Sequence, residues 1–403
     1  MTIGLISNIL NIEGRKMNYK KISDELIAHS CGTFSKRPDQ YVANHPSHIV
    51  TGNGCRVLGS DNKWYVDMVC GLGSNIINIQ NNYCKESIFM PMLASEIKKR
   101  VPFIDKMKFV KTGSAACEGA VRYARAFTKK SCMLGLGYHG CHNVFIAAEK
   151  PGLGTVDEGY EKFDSLTDLI AFIKNTVKLN PKHDIAGCIV EPVRLDASES
   201  VKNQLIELRN VCTKASIVLI FDEIISGWRV PNYCFSQYWN IKPDLICIGK
   251  ALGNGFPLAV IGGTKEIMDC QVFISNTHNG EESSLRESLH TIQFLNRFNL
   301  RKLWTRGGIF KNLMNKILPV DKLQIVGYNT RGEWQGEDSF KALFFEQMAL
   351  RGVILGRAWF MTCSHDVKAL HQVLDAAEFS MKVIKKGSVV LTGYIPQAVF
   401  KRN

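Results

Sequence analysis

Several short apolar runs in this chain end directly on side chains capable of chemistry. Leu245-Ile246-Cys247-Ile248 is followed by Gly249-Lys250, and Ile217 to Phe221 by Asp222-Glu223. Gly187-Cys188-Ile189-Val190 leads into Glu191-Pro192, and Lys108-Phe109-Val110 into Lys111-Thr112-Gly113-Ser114. A lysine leaving a buried strand is expected to be partly desolvated, which lowers its pKa and makes the free amine nucleophilic toward an aldehyde. Gly249, Gly253 and Gly255 let a bulky group approach the backbone beside Lys250. A carboxylate such as Asp222 at a strand end is costly to bury unless it meets a cation. That cation could be Arg229, or a protonated ring nitrogen whose charge the carboxylate maintains. Thr112-Gly113-Ser114-Ala115, opening a helical stretch Ala116 to Phe127, offers N–H groups and hydroxyls to a phosphate. Tyr138, in Tyr138-His139-Gly140, presents an aromatic face to a flat ring. An amine, a carboxylate for a ring nitrogen, a phosphate turn and an aromatic are together the parts that hold pyridoxal 5′-phosphate. Lys250 would be its Schiff-base partner.

These residues need a scaffold that brings strand ends to one edge. From about residue 105 to 265 the apolar runs are short and without alternation, as in strands buried on both faces of a parallel sheet. Ala116 to Phe127 and Asn203 to Thr213 carry helical periodicity between them, giving an α/β rhythm. In such sheets ligands bind at the carboxyl ends of the strands, where Lys250, Asp222, Glu191 and the Gly113-Ser114 turn fall. Ahead of this region, Gly54 to Leu58 and Trp64 to Met68 flank Asp61-Asn62, which predicts a β-hairpin. Beyond about Asn299 the pattern is mixed, with helices expected over Leu343 to Leu355 and Val367 to Ile384. The expected organisation is an N-terminal segment (1–68) packing with a small α+β domain (299–403), and a large cofactor-binding domain (69–298).

At 403 residues, 45% hydrophobic and 22% charged, the chain is globular and long enough for more than one core. The net charge of +13 comes from scattered basic residues with no aromatic-basic repeat, so no nucleic-acid partner is expected. The apolar runs are too short to span a bilayer. The Met1 to Ile12 stretch lacks a basic n-region and a small-residue cleavage site, so no signal peptide is expected. The thirteen cysteines follow no disulfide or metal spacing and suit reduced thiols in the cytoplasm. His45-x-x-His48 and His139-x-x-His142 have no matching second pair, so no metal is expected. Gly135-Leu136-Gly137-Tyr138-His139-Gly140 matches G-x-G-x-x-G literally. It follows an earlier α/β unit, and Cys141 to Ala147 show no clear βα continuation, which argues against a dinucleotide fingerprint.

Taken in order, further segments resemble the class III (fold type I) pyridoxal-phosphate aminotransferases. They are Ser35 to Tyr41, Gly54 to Asp67, Phe109 to Ser114, Gly137 to Gly140, Ile189 to Arg194, Ile220 to Arg229, and Pro243 through Lys250 to Pro257. The resemblance runs from about Phe34 to Ile384. It is strongest to glutamate-1-semialdehyde 2,1-aminomutase and its relatives in surface-polysaccharide biosynthesis. It implies a mostly parallel sheet flanked by helices, and an amino group moved from an amine donor to a keto or aldehyde acceptor. Lys250 would bind the cofactor and move the substrate proton, Asp222 would meet the ring nitrogen, and Ile224 and Tyr138 would sandwich the ring. Gly113, Ser114 and the Ala115 backbone would hold the phosphate, with His139 and Asp196 as further cofactor contacts. Thr277 would reach the phosphate of a partner subunit, implying a homodimer. Arg37 matches the aminomutase arginine for the substrate carboxylate, and Glu191 is expected on the same substrate side. The chain departs from the family at Ala115, where an acidic residue is usual, in a shortened stretch between Ile79 and Phe89, and at His278-Asn279-Gly280-Glu281. Those departures keep two alternatives in view: intramolecular amino transfer, and cofactor binding without catalysis.

Overall fold

The computed structural model of the chain describes residues 17–33, 36–38, 46–53, 55–67, 69, 74, 81–149, 154–387, 389–392 and 395. Of the positions singled out above, residues 1–12, 34–35, 39–41, 45, 54, 68 and 79–80 lie outside the described residues. In chain order the strands are β1 (Ile49–Asn53), β2 (Arg56–Gly59), β3 (Trp64–Val66), β4 (Lys106–Val110), β5 (Cys132–Leu136), β6 (Tyr160–Phe163) and β7 (Ile185–Val190). They continue with β8 (Val218–Glu223), β9 (Leu245–Ile248), β10 (Ala259–Gly263), β11 (Leu323–Tyr328), β12 (Arg331–Gly336) and β13 (Ala358–Phe360). The chain divides into two compact units, residues 1–129 with 244–291 and residues 130–243 with 292–403.

In the first unit, β2 and β3 form the expected hairpin, pairing Arg56 with Val66 and Leu58 with Trp64. Asn62 takes a left-handed φ of 67° in its turn, a conformation asparagine tolerates. β10 runs antiparallel to both β4 and β9. Helix Gly113–Thr128 packs on β9 and β10, and its Ala116, Ala120, Val121 and Ala124 are fully buried. Small residues at this spacing let the helix sit close to the sheet.

The second unit holds four parallel strands in the order β8-β7-β5-β6. β7 and β8 are buried along their whole length, as continuous apolar runs predict. Helices Leu166–Leu179 and Glu199–Ala215 pack together beside these strands and start on N-cap serines, Ser165 and Ser198. An antiparallel sheet, β11-β12-β13, carries helices Leu300–Ile317, Asp338–Ala349 and Val367–Lys385. The helix expected over Leu343 to Leu355 starts earlier and ends at Ala349. It stops because Gly352, at φ 74°, returns the chain so that Val353 N–H donates to the Met348 carbonyl. The βα continuation not expected after Gly140 also exists. Helix Asn143–Glu149 leads into β6, which lies parallel to β5.

His48, in the first unit, is 4% exposed, with Nε2 2.8 Å from Ser23 Oγ and Nδ1 3.2 Å from Ser47 Oγ. Burial, aided by the Lys85 charge, pushes its pKa down from 6.5 to about 4. The folded chain therefore binds this proton less readily than the unfolded chain. The stability is full above about 6.5 and is lost as pH falls through about 4. At about 1.4 kcal/mol per pKa unit, the loss amounts to roughly 3 kcal/mol. Urea unfolding at pH about 7 and about 4.5 should show this slope flattened in His48→Gln; an unchanged slope contradicts the assignment.

Candidate active site

In the second unit, Asp222 sits at the carboxyl end of β8, 5% exposed. Its Oδ1 accepts the Ile224 N–H at 3.0 Å, and its Oδ2 lies 2.8 Å from His139 Nδ1. The alternative pairing with Arg229 is not what the structure shows. Arg229 donates from Nη1 to the Met361 carbonyl at 3.1 Å and lies over the Phe360 ring at 4.9 Å. Strand alternation sends the next residue the other way. Glu223 is fully buried and accepts from Phe235 N–H (2.7 Å), Ser236 N–H (2.8 Å) and Ser226 Oγ (2.9 Å), anchoring the following loop. His139 Nε2 is buried and has no hydrogen-bond partner among the described residues. Such a polar atom is costly unless something meets it.

Glu191, at the end of β7, turns toward the loop after β5. Its Oε1 accepts the Tyr138 N–H at 2.9 Å. Gly137 is held at φ 120°, and a Cβ there would meet the Glu191 carboxylate oxygen at 2.7 Å, so only glycine fits. Burial first, and then the Asp222 charge, raises the Glu191 pKa. Thus one of its carboxylate oxygens is engaged in shaping the turn that presents Tyr138, which is 47% exposed. Ile224 is buried beside Asp222. Asp196 accepts from both the N–H and the hydroxyl of Ser198, at 2.9 Å each. It lines a cavity of about 540 Å³ with Trp304 and Tyr328.

In the first unit, helix Gly113–Thr128 starts three residues earlier than its periodicity indicated, so Gly113, Ser114 and Ala115 form its first turn. Thr112 is the N-cap, its hydroxyl accepting the Ala115 N–H at 3.1 Å. The remaining first-turn N–H groups and the helix dipole favour an anion at this end. Lys250 follows β9 through the extended Gly249 and takes a left-handed φ of 42° at the start of a short 3₁₀ turn. A non-glycine residue in that conformation is held there by its surroundings at some cost. Contrary to the desolvated position expected, Lys250 is exposed, because this turn carries its side chain out of the buried strand. Arg37 and Thr277 are half-buried, and the Thr277 carbonyl accepts from Asn82 Nδ2 at 2.9 Å. Two features escaped the sequence reading: the Asp222–His139 contact, and an ion pair of Lys111 Nζ with Glu281 Oε1 at 2.7 Å. Each joins residues far apart in the chain whose spacing carries no periodic signal.

A family model described as "Aminotransferase class-III" matches residues 39–322, well over half of the chain. The chain belongs to the class III aminotransferase family. Curated relatives include the glutamate-1-semialdehyde 2,1-aminomutase of Nitrosopumilus maritimus, 28% identical over 91% of this chain and 99% of that protein. The enzyme of the same name from Thermodesulfovibrio yellowstonii is 31% identical over 65% of this chain and 69% of its own length. Among solved structures, an omega-transaminase from Sphaerobacter thermophilus shares the fold. Its TM-score is 0.67 at 18% identity, covering 93% of this chain and 99% of that one. This class III chain is thus an enzyme of aminotransferase or aminomutase type whose cofactor is pyridoxal 5′-phosphate, on the α/β fold of mostly parallel strands that its sequence predicted. Its residues fit that cofactor. Within the second unit a buried carboxylate suits a protonated ring nitrogen, and the buried His139 Nε2 is left for a polar neighbour; within the first unit, taken by itself, the first turn of helix Gly113–Thr128 suits a phosphate.

Proposed function

We propose that this enzyme moves an amino group between two substrates, from an amine donor to a keto or aldehyde acceptor such as a sugar or other polysaccharide precursor. The observation carrying the site assignment is Asp222. It is buried at a strand end and already fixed by His139 and the Ile224 N–H, with carboxylate lone pairs left for a cationic partner. When bound, pyridoxal 5′-phosphate supplies the aldehyde that captures the amine and the ring that accepts electron density. Lys250 Nζ would hold the cofactor and would take and return the proton at the reacting carbon. Asp222 keeps the ring nitrogen protonated, and His139 fixes the direction of that carboxylate. Ile224 and Tyr138 bound the ring faces, and Gly113, Ser114 and Ala115 receive the phosphate. Arg37 takes a substrate carboxylate. Thr277 serves the phosphate of a second subunit, so the working form is a homodimer. The cysteine spacing, which follows no disulfide pattern, supports a cytoplasmic setting. No helix among the described residues is long and apolar enough to cross a membrane.

Transfer within one molecule is the second reading, favoured by the curated relatives named glutamate-1-semialdehyde 2,1-aminomutase. Incubating the holoenzyme with that semialdehyde as sole substrate separates the two. No turnover until an amine donor is added is the expected result. Multiple turnovers without a donor overturn transfer between molecules.

A further inference from the structure

In the first unit, residues 32, 33 and 36 are fastened to the 275–282 turn and its neighbours by contacts that cofactor chemistry does not use. Gly32 N–H donates to Glu86 Oε1 at 2.8 Å, and Asn279 Nδ2 donates to the Gly32 carbonyl at 3.4 Å. A Cβ on Gly32 would lie 2.8 Å from the Asn279 carbonyl oxygen, so the two backbones are in close approach. Thr33 and Ser275 hydrogen-bond through their hydroxyls. Lys36 is only 3% exposed, and its Nζ donates to Asn82 Oδ1 at 2.6 Å. Asn82 Nδ2 in turn donates to the Thr277 carbonyl and to Ser74 Oγ, each at 2.9 Å. Both ends of the buried Asn82 amide are therefore used. Its oxygen takes an ammonium and its nitrogen reaches the turn.

The chemistry of this clasp is costly to maintain. A buried lysine is expensive unless charges and acceptors meet it. Lys36 has Asn82 in contact and the buried Glu86 nearby, while Lys108, fully buried, donates to the Cys31 carbonyl at 2.7 Å. An apolar side chain would fill the Lys36 position at lower cost, so the polar connection itself needs a reason. That reason lies in its neighbours. Lys36 immediately precedes Arg37, and Asn82 grips Thr277.

We infer that Lys36 and Asn82 are positioning residues that make Arg37 and Thr277 parts of one rigid piece, coupling recognition of the substrate carboxylate to recognition of the cofactor phosphate. The roles of Arg37 and Thr277 rest on the function proposed above; the clasp itself does not.

The test uses full-length Lys36→Met and Asn82→Ala, with Lys36→Arg as the conservative control. In the holoenzyme, the donor KM and the pyridoxal phosphate Kd should rise together by roughly 10–100-fold in either variant, because small misplacements at a site are costly. The kcat at saturating donor and cofactor should stay near wild type, and Lys36→Arg should recover much of the loss. Hydrogen exchange is read in parallel without cofactor. Amides of residues 32–33 and 277–279 should both exchange faster in Lys36→Met, although only the first group neighbours the substitution in sequence. Unchanged exchange at 277–279 overturns the clasp, whatever the enzyme's reaction proves to be. Faster exchange at both segments, with donor KM and cofactor Kd unmoved, overturns the positioning role while leaving the clasp.

Discussion

Lys250→Ala is expected to give a folded protein that retains no cofactor absorbance band after gel filtration, with amino transfer lowered by roughly 10³-fold or more. Two roles disappear with one side chain. The covalent hold on the cofactor is lost, and so is the base that moves the proton at the reacting carbon. The fold should tolerate the change. Lys250 is exposed and lies in a short 3₁₀ turn after β9, so no core side chain is removed. Its left-handed backbone at φ 42° is as unfavourable for alanine as for lysine, so the substitution adds no new strain. Unfolding by denaturant should therefore match wild type while the spectrum and the activity change. Equal activity in the variant removes Lys250 from the mechanism.

Asp222→Asn is expected to be nearly as damaging, by roughly 10²–10³-fold in kcat. The asparagine keeps the shape and can still accept from the Ile224 N–H, but it carries no charge to keep a ring nitrogen protonated. The effect should fall mainly on kcat, with cofactor affinity only partly reduced, because the phosphate turn at Gly113-Ser114 and Lys250 are untouched. Stopped-flow absorbance on mixing with donor separates the two effects. Loss of cofactor binding with normal kcat on full loading would assign Asp222 to binding alone. His139→Ala should act in the same direction but less, since it leaves the Asp222 carboxylate in place and removes only the Nδ1 contact at 2.8 Å.

The strand ends that carry the candidate residues were legible in the sequence because strand ends have a strong local signature. Runs such as Ile217 to Phe221 and Leu245 to Ile248 read as strands buried on both faces, and the residue after each is placed by the strand itself. Asp222 is an example, where β8 carries the predicted run straight into the carboxylate. Lys250 shows the limit. Its position after β9 could be read, but its exposure could not, because a left-handed φ at a lysine leaves no mark on the sequence. The paired β5 and β6, with the helix between them, were missed for a similar reason. Cys132–Leu136 is broken by Gly135, and Tyr160–Phe163 is short and half polar. Long-range polar contacts were invisible as well. Lys36, Asn82 and Thr277 join three distant stretches, and Glu191 reaches the Tyr138 backbone across the sheet end. Nothing in local composition distinguishes such an asparagine or glutamate from a solvated one.

The claim on which the remaining assignments depend is that Lys250 Nζ carries the cofactor. Purified protein loaded with pyridoxal 5′-phosphate, reduced with borohydride and digested, should give one peptide bearing the pyridoxyl phosphate mass, and that peptide should hold Lys250. The label should be absent from Lys250→Ala treated identically. A label on another lysine, or a protein that takes up none and gains no absorbance band with added cofactor, contradicts the account.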